Sequence, residues 1–196
     1  MSLLVQALLE RGADPLRRDH YGHSAWDYAL TRFLEDAAHT AHHLDALYPL
    51  LAPPVLDVQT GGRLIRLERH QGEYWLLGLM LVGYKKLYSQ LIPDPQVQRN
   101  LKGFCADYLM RRTEHLPDSV LRPERRKRIY FNGVLARAEV NSNYQPSRQL
   151  WRRTKNGYYA INPELKLRLH SGAPWTSWQE WLNQPLIYRG CGIRAE

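Results

Sequence analysis

The residues with the most evident chemistry are basic. Ten Arg and Lys side chains fall between Arg122 and Lys155, against two acids, Glu124 and Glu139. At this density roughly seven to ten phosphate contacts are available, which would give strong, salt-sensitive binding to nucleic acid. An acidic protein partner, or the acidic part of this chain, would satisfy the same charges. The candidate nucleic-acid contacts are Arg125, Arg126, Arg128, Arg137, Arg152, Arg153 and Lys155.

Other groupings with possible chemistry are weaker. His39, His42 and His43 are spaced so that a helix brings them together. Metal sites usually add carboxylate or thiolate ligands and groups that orient the histidines, and Asp36 is the only nearby candidate in the sequence. The one local acid–histidine group is Glu68, His70 and Glu73, at a predicted hairpin end. No GxGxxG, P-loop, GxSxG or HExxH motif is present. We therefore expect no enzyme, no cofactor and no metal.

Two predicted elements carry the basic residues. Pro123 suits the first turn of a helix, and an apolar stripe follows at Ile129, Tyr130, Val134, Leu135 and Ala138. The segment from Leu150 to Asn162 predicts two strands joined by a turn at Lys155-Asn156-Gly157. A basic helix followed by a basic hairpin resembles part of a winged-helix nucleic-acid binder, over about residues 122–163. The resemblance implies that the helix enters a DNA groove and the hairpin touches phosphate. The short helix and tight turn that precede the recognition helix in that family are not evident in the sequence.

The rest of the C-terminal part predicts a mixed helix and strand structure. Alternating runs around Gly61-Gly62 predict a β-hairpin, and helices are expected from about Glu73 to Leu91 and from Val97 to Arg112. Thr176 is the expected cap of a short helix near the C-terminus. The most apolar segment, 74–84, has 11 residues, whereas a membrane span needs roughly 20. We therefore expect no membrane association.

The N-terminal part contains two partial copies of one pattern. Leu8, Leu9 and Gly12-Ala13-Asp14 form the end of one copy, and Asp19, Gly22, Ser24, Ala25 and Ala29 form the start of the next. Through these residues, the segment of about 3–53 resembles the ankyrin repeat. It has Trp26 and Asp27 where the family usually has leucine and histidine. The local chemistry also fits such a repeat, because Gly12 permits the left-handed conformation that ends a helix and Ser24 can cap the next helix. A helix over residues 31–51, ended by Pro53-Pro54, would cap the array.

Charge divides the chain near the same place. Residues 1–54 carry four basic and seven acidic side chains, whereas residues 55–196 carry 23 and 12. We therefore expect a terminal ankyrin segment at 1–53 and a basic α+β domain at 54–196. A repeat cannot bury its apolar face alone, so we also expect further repeats upstream and docking of the two segments. Two cysteines, Cys105 and Cys191, form no disulfide framework and favour a cytoplasmic protein.

The predicted architecture is mainly α within the α+β class: ankyrin-type helical hairpins packed on a C-terminal helical domain with two β-hairpins. Ankyrin arrays bind proteins, so this resemblance implies a non-catalytic scaffold or adaptor. Tyr21, His23 and Trp26 are its candidate protein contacts. The alternative is a winged-helix-like regulator that binds DNA or RNA through the basic region.

Overall fold

The structure is a computed structural model that describes residues 2–19, 23–90, 103–168 and 172–182, without the side chains of 86–90. The chain is a mixed α+β protein. The helices in these ranges are α1 (Ser2–Glu10), α2 (Ala25–Glu35), α3 (Ala37–Leu51), α4 (Gly72–Gln90), α5 (Ala106–Arg112), α6 (Arg128–Arg137) and α7 (Trp178–Leu182). The strands are β1 (Val55–Thr60), β2 (Arg63–Glu68), β3 (Phe104–Cys105), β4 (Trp151–Lys155), β5 (Tyr158–Ile161), β6 (Lys166–Arg168) and β7 (Thr176–Ser177).

The N-terminal helices begin and end where local chemistry allows. Gly12, just after α1, has a φ of +87°, a conformation that glycine adopts without steric cost. Ser24 caps α2 as predicted: its Oγ accepts a hydrogen bond from the Asp27 N–H, and the Asp27 carboxylate accepts one from the Ser24 N–H. This reciprocal pair satisfies two amides that the first turn leaves unpaired.

The predicted helix over residues 31–51 is interrupted at Asp36. Thr31 to Glu35 instead complete α2, and α3 begins at Ala37. Asp36 has φ −145° and ψ 70°, outside the helical region. Aspartate competes with helical backbone bonding through its own side chain, and here its carboxylate lies 2.8 Å from Nδ1 of His39. The prediction of one long helix was therefore wrong at its N-terminal end.

The first predicted hairpin is confirmed and belongs to a four-stranded antiparallel sheet. Strands β1 and β2 pair from Val55 with Glu68 to Thr60 with Arg63. Gly61 and Gly62 both have positive φ, 54° and 73°, as the favoured two-residue turn requires. Strands β6 and β7 extend the sheet in the order β2-β1-β6-β7. The helix expected from about Glu73 to Leu91 is present as α4.

The second predicted hairpin, β4–β5, is also confirmed, and β3 joins it in the order β3-β5-β4. The helix expected over Val97 to Arg112 is wrong in its described part, because Phe104 and Cys105 form β3 and α5 begins only at Ala106. Gly103, with φ +75°, packs so closely against the backbone of Tyr159 that a side chain would collide with it. Residues 97–102 of the predicted helix lie outside the described part of the chain.

The helix predicted from Pro123 also differs. Pro123–Arg125 form one turn of 3₁₀ helix, and α6 starts at Arg128. Of the predicted apolar stripe, Val134, Leu135 and Ala138 are buried, whereas Ile129 is 80% exposed. Phe131, which the prediction did not include, is buried in its place. The later start places Lys127 at the N-cap. Near the C-terminus, α7 is capped by Ser177 and not by Thr176, since Ser177 Oγ accepts a hydrogen bond from the Glu180 N–H.

One apolar cluster runs through the helices of both segments and both sheets. Trp26 of α2 contacts Tyr48 of α3 and Trp75 of α4, with ring centroids 5.7 and 5.8 Å apart. The Trp75 indole N–H donates a hydrogen bond to the Tyr48 hydroxyl at 3.2 Å. These contacts dock α2 and α3 on α4, and buried aromatic pairs of this kind add to the free energy of burial.

Candidate nucleic-acid interface

Helix α6 has one apolar face and one exposed polar face. Phe131, Val134 and Leu135 recur at intervals of three or four and point into the core. The opposite side carries exposed Arg128, Ile129, Asn132, Ala136 and Arg137. At about 1.5 Å per residue, this face is about 15 Å long. It thus presents two cations, an amide and an aliphatic group to solvent.

The β4–β5 hairpin lies next along the chain and also exposes cations. Trp151 anchors β4 in the core with no exposed surface, whereas Arg152 and Lys155 are exposed. The Lys155 ammonium lies 4.1 Å from the centroid of the Tyr158 ring, a cation–π contact. Gly157 has φ +75° in the turn. The hairpin therefore exposes two side chains suited to phosphate, Lys155 next to its turn and Arg152 nearer its anchored end.

A polar cleft lies where the C-terminal end of α6 faces β4. Its volume is about 400 Å³, and it is lined by Ala136 and Arg137 of α6, Arg153 of β4 and residues of the intervening loop. Because side chains of both elements line one cavity, the helix end and the hairpin are adjacent parts of one surface. Arg137 and Arg153 are the two predicted site residues that this cleft brings together.

Arg125 and Arg126, by contrast, are used within the fold. The Arg125 guanidinium donates a hydrogen bond to the His70 carbonyl at 2.6 Å. Arg126 donates to the carbonyl of Leu121 and pairs with Asp118 at 2.6 Å. The run "ERRKR", residues 124–128, mostly precedes α6, but Lys127 at the N-cap and Arg128 at the first helical position still place positive charge at the helix N-terminus, where it opposes the helix dipole. These two arginines fix the connection between α5 and α6.

Two more predicted contacts have acidic partners. Arg128 Nε lies 3.0 Å from Asp107, with both side chains largely exposed. Such a surface pair is weak, so Arg128 can exchange Asp107 for a phosphate. Arg153 lies 2.8 Å from Glu139 and 3.0 Å from the Tyr159 hydroxyl. Glu139 is buried, so Arg153 is held more firmly.

Several cations on or beside this surface have no acidic partner. Within the described part of the chain, no ion pair or hydrogen bond holds the exposed side chains of Lys127, Arg137 and Arg152. Within the same ranges, Lys155 also has no acidic partner, and its ammonium lies over the Tyr158 ring. Unpaired surface cations cost little to transfer to a phosphate partner. These four, with Arg128, are the cations available to a polyanion.

The candidate protein contacts in the N-terminal segment are mostly buried. Tyr21 lies outside the described residues. His23 is 6% exposed, and its N–H donates a hydrogen bond to the Asp19 carboxylate at 2.9 Å. Trp26 is also 6% exposed, in the aromatic cluster with Tyr48 and Trp75. His23 and Trp26 thus pack inside the structure, out of reach of a partner at its surface.

The weaker chemical groupings separate in space. His42 and His43 stack with centroids 3.8 Å apart, and His39 turns to Asp36. His39 holds the pKa of the Asp36 carboxyl below its ordinary value by hydrogen bonding to it. His70 lies 3.3 Å from Glu68, whereas Glu73 pairs with Arg148. Among the described residues, no three His, Cys, Asp or Glu side chains are placed to hold a metal ion.

A buried lysine has no counterpart among the sequence predictions. Lys85 of α4 is 7% exposed, and its ammonium lies 4.9 Å from the centroid of the Trp181 ring. Burial, together with the positive charge of Arg18 and partly offset by Asp19, lowers the pKa of Lys85 to about 8. Desolvation disfavours the charged form. Lys85 contributes to the packing of α4 against α7 through its contact with Trp181. It is distant in sequence from the residues that line the cleft between α6 and β4.

The loop side chains of the cleft were also missed. Asn141, Asn143 and Tyr144 lie in "NSNYQPSRQ", which the sequence identifies only as a loop. The available signal was general, because binding residues are often found on loops that a rigid scaffold positions. Loop residues at a cleft can only be assigned once β4 and α6 are placed in space.

Comparison with protein-family models, with curated proteins and with solved structures finds no match for this chain. None of the helices in the described ranges is long and apolar enough to span a membrane.

Proposed function

We propose that this protein binds double-stranded DNA through the exposed face of α6 and the β4–β5 hairpin. One observation carries the proposal: Arg137 of α6 and Arg153 of β4 line the same cleft. The C-terminal end of α6 and strand β4 therefore border one cavity, so a DNA strand that lies along α6 would continue onto the hairpin. The five available cations are Lys127, Arg128, Arg137, Arg152 and Lys155.

The order of elements supports this proposal. The winged-helix resemblance calls for a short helix ahead of the basic helix, and α5 (Ala106–Arg112) occupies that position. The two are joined by residues 113–127 instead of a tight turn. Strand β3, just before α5, pairs with β5. The hairpin is thus anchored to the helices by a three-stranded sheet.

The exposed face of α6 has the chemistry that base edges require. The Asn132 amide has both donors and acceptors, which suits adenine in the major groove. Ile129, 80% exposed, offers the apolar contact that a thymine methyl group accepts. Arg128 and Arg137, near the two ends of α6, suit the flanking phosphates. A B-form major groove, about 12 Å wide, admits such a helix, whereas the major groove of double-stranded RNA does not.

Charge-neutralising variants test the proposal. We expect wild-type protein to bind a duplex of about 20 base pairs, two helical turns, in fluorescence anisotropy at about 50 mM salt. The variant Arg137→Gln/Arg152→Gln should lose about tenfold or more in affinity, because two phosphate contacts are removed. Arg17→Gln/Arg32→Gln changes the same charge at exposed positions of the N-terminal segment and should bind like wild type. Double-stranded RNA of the same sequence should bind more weakly than the DNA duplex. Absence of duplex binding by wild type, or equal losses of affinity in both variants, would contradict the proposal.

A protein-interaction role of the N-terminal helices is the second candidate, supported by a different observation. No residue of α1 is buried, and Leu3, Leu4 and Leu8 are 81%, 66% and 50% exposed. The ankyrin resemblance implies a protein partner for this segment, which would make it the adaptor of a DNA-binding unit. The test is a pull-down with wild type and with the variant Leu4→Glu/Leu8→Glu as baits. A protein that wild type retains and the variant does not would support this role. Equal recovery with both would exclude α1 as the contact.

A further inference from the structure

The cleft between α6 and β4 is lined by side chains that suit one nucleotide. Its volume of about 400 Å³ falls within the range of small-ligand sites, about 300–1,000 Å³. Tyr144 stands in its wall with 57% of its surface exposed. Asn141, Asn143 and Arg137 line the same cavity and are exposed. An aromatic ring, two amides and a guanidinium are the groups that bind a base and its phosphate.

The polar groups of this wall are free to bind. Within the described residues, no hydrogen bond occupies the side-chain amides of Asn141 and Asn143 or the guanidinium of Arg137. The loop itself is held, because the Tyr144 N–H donates to Ser142 Oγ at 3.1 Å. A ligand would thus gain these bonds without breaking existing ones.

The charges in the cleft favour an anionic ligand. Glu139 is its acid, and Arg153 neutralises it at 2.8 Å. The Ser147 hydroxyl also donates to the Glu139 carbonyl at 2.6 Å, which fixes this residue in place. Among the described residues Arg137 has no acidic partner, so it adds a positive charge to the cleft. A phosphate beside Arg137 and a base against Tyr144 would satisfy both ends of the cavity.

We infer that this cleft binds one unpaired nucleotide at the end of a DNA strand whose duplex part lies on α6. The inference rests on the proposed function, because Arg137 belongs both to the exposed face of α6 and to the cleft. The nucleotide must be unpaired, since amides can reach a Watson–Crick edge only when the base is released from its partner. The protein would then distinguish a duplex with a single-stranded overhang from a blunt duplex.

Binding to matched duplexes tests this inference. The probes are a blunt duplex and the same duplex with a three-nucleotide overhang at either the 3′ or the 5′ end, each labelled at the opposite end. Stacking of one base on an aromatic ring corresponds to a roughly 5- to 150-fold gain in affinity, so we expect about a tenfold preference for one overhang. Tyr144→Ala should remove the preference and leave blunt-duplex binding within about twofold, whereas Tyr144→Phe should retain it. Tyr28→Ala, at another half-exposed tyrosine, should leave the preference intact.

The outcomes separate this inference from the proposed function. Equal affinity of wild type for blunt and overhang duplexes would overturn the nucleotide site and leave duplex binding standing. A further arm titrates the four deoxynucleoside monophosphates dAMP, dGMP, dCMP and dTMP. Suppose that wild type binds one of these nucleotides saturably, that Tyr144→Ala does not, and that wild type binds no duplex. The cleft would then be a site for a free nucleotide, and the inference that it binds the end of a DNA strand would be overturned. No binding of any probe would overturn both.

Discussion

Replacing Trp26 with alanine perturbs the contact between the N-terminal helices and the rest of the protein. Trp26 is 6% exposed and packs against Tyr48 and against Trp75, whose ring meets it edge-on at 83°. Truncation of a buried tryptophan costs about 3–5 kcal/mol. Because two aromatic pairs, each contributing about 0.5–1.5 kcal/mol, are lost with it, we expect about 4 kcal/mol. Typical stabilities are about 5–15 kcal/mol, so the variant should remain measurable.

The assay is urea unfolding followed by far-ultraviolet circular dichroism, combined with amide hydrogen exchange. We expect one cooperative transition in both proteins, with faster exchange in α4 as well as in α2 of the variant. Arg32→Ala is the control on the same helix. Its side chain is 71% exposed in a 3.4 Å pair with Glu35, so its loss should cost under about 0.5 kcal/mol. A loss under about 1.5 kcal/mol for Trp26→Ala, or separate unfolding of α2 with α4 unchanged, would refute the docking of the two segments.

Two further predictions concern backbone geometry and pH. Gly103→Ala should destabilise the protein by about 3 kcal/mol or more in thermal unfolding, because a Cβ at φ +75° would collide with the backbone of Tyr159. The control is Gly133→Ala, which has open space around its Cβ position and should be neutral or stabilising by about 1 kcal/mol. Similar effects at both sites would contradict the reasoning. Lys85 has a folded-state pKa of about 8 against about 10.4 unfolded, so the unfolded state binds more protons between these values. The free energy of unfolding should therefore rise with pH, by about 2 kcal/mol between about pH 7.5 and 9.5. Lys85→Met should remove this rise in urea unfolding at pH 7.5 and 9.5, and parallel pH profiles of the two proteins would rule out Lys85 as its origin.

Local sequence signals were sufficient to predict both hairpins and helix α4. Paired glycines between alternating strands predict the turn at Gly61-Gly62, and Asn156-Gly157 does the same for β4–β5. The apolar run after Glu73 predicts α4 for an equally local reason. Ser24 followed by Asp27 is a capping pattern that depends on residues three apart. In each case the residues that decide the structure are neighbours in sequence.

Long-range contacts decided the elements that sequence reasoning missed. Phe104 pairs with Tyr159, 55 positions later, so the end of the predicted helix became a strand. The start of α6 shifted to Arg128, and packing then selected Phe131 in place of Ile129 for the core. Neither choice is visible in local periodicity.

The candidate site was predictable in charge but not in detail. The sequence indicates that residues 122–155 are basic, and the available cations do lie on α6 and β4. The engagement of Arg126 depends on the Leu121 carbonyl and on Asp118, and a backbone acceptor leaves no mark in a sequence. Tyr144 gained its place at the cleft only through the packing of its loop between α6 and β4.

The salt dependence of duplex binding tests the central claim most directly. At about 0.9 per phosphate contact in B-DNA, the five available cations predict a slope of about −4.5 for log affinity against log salt concentration. Removing two contacts in Arg137→Gln/Arg152→Gln predicts a slope of about −2.7, while Arg17→Gln/Arg32→Gln should keep the wild-type value. A wild-type slope near zero, or the same slope in wild type and in Arg137→Gln/Arg152→Gln, would contradict DNA binding by the α6 and β4–β5 surface.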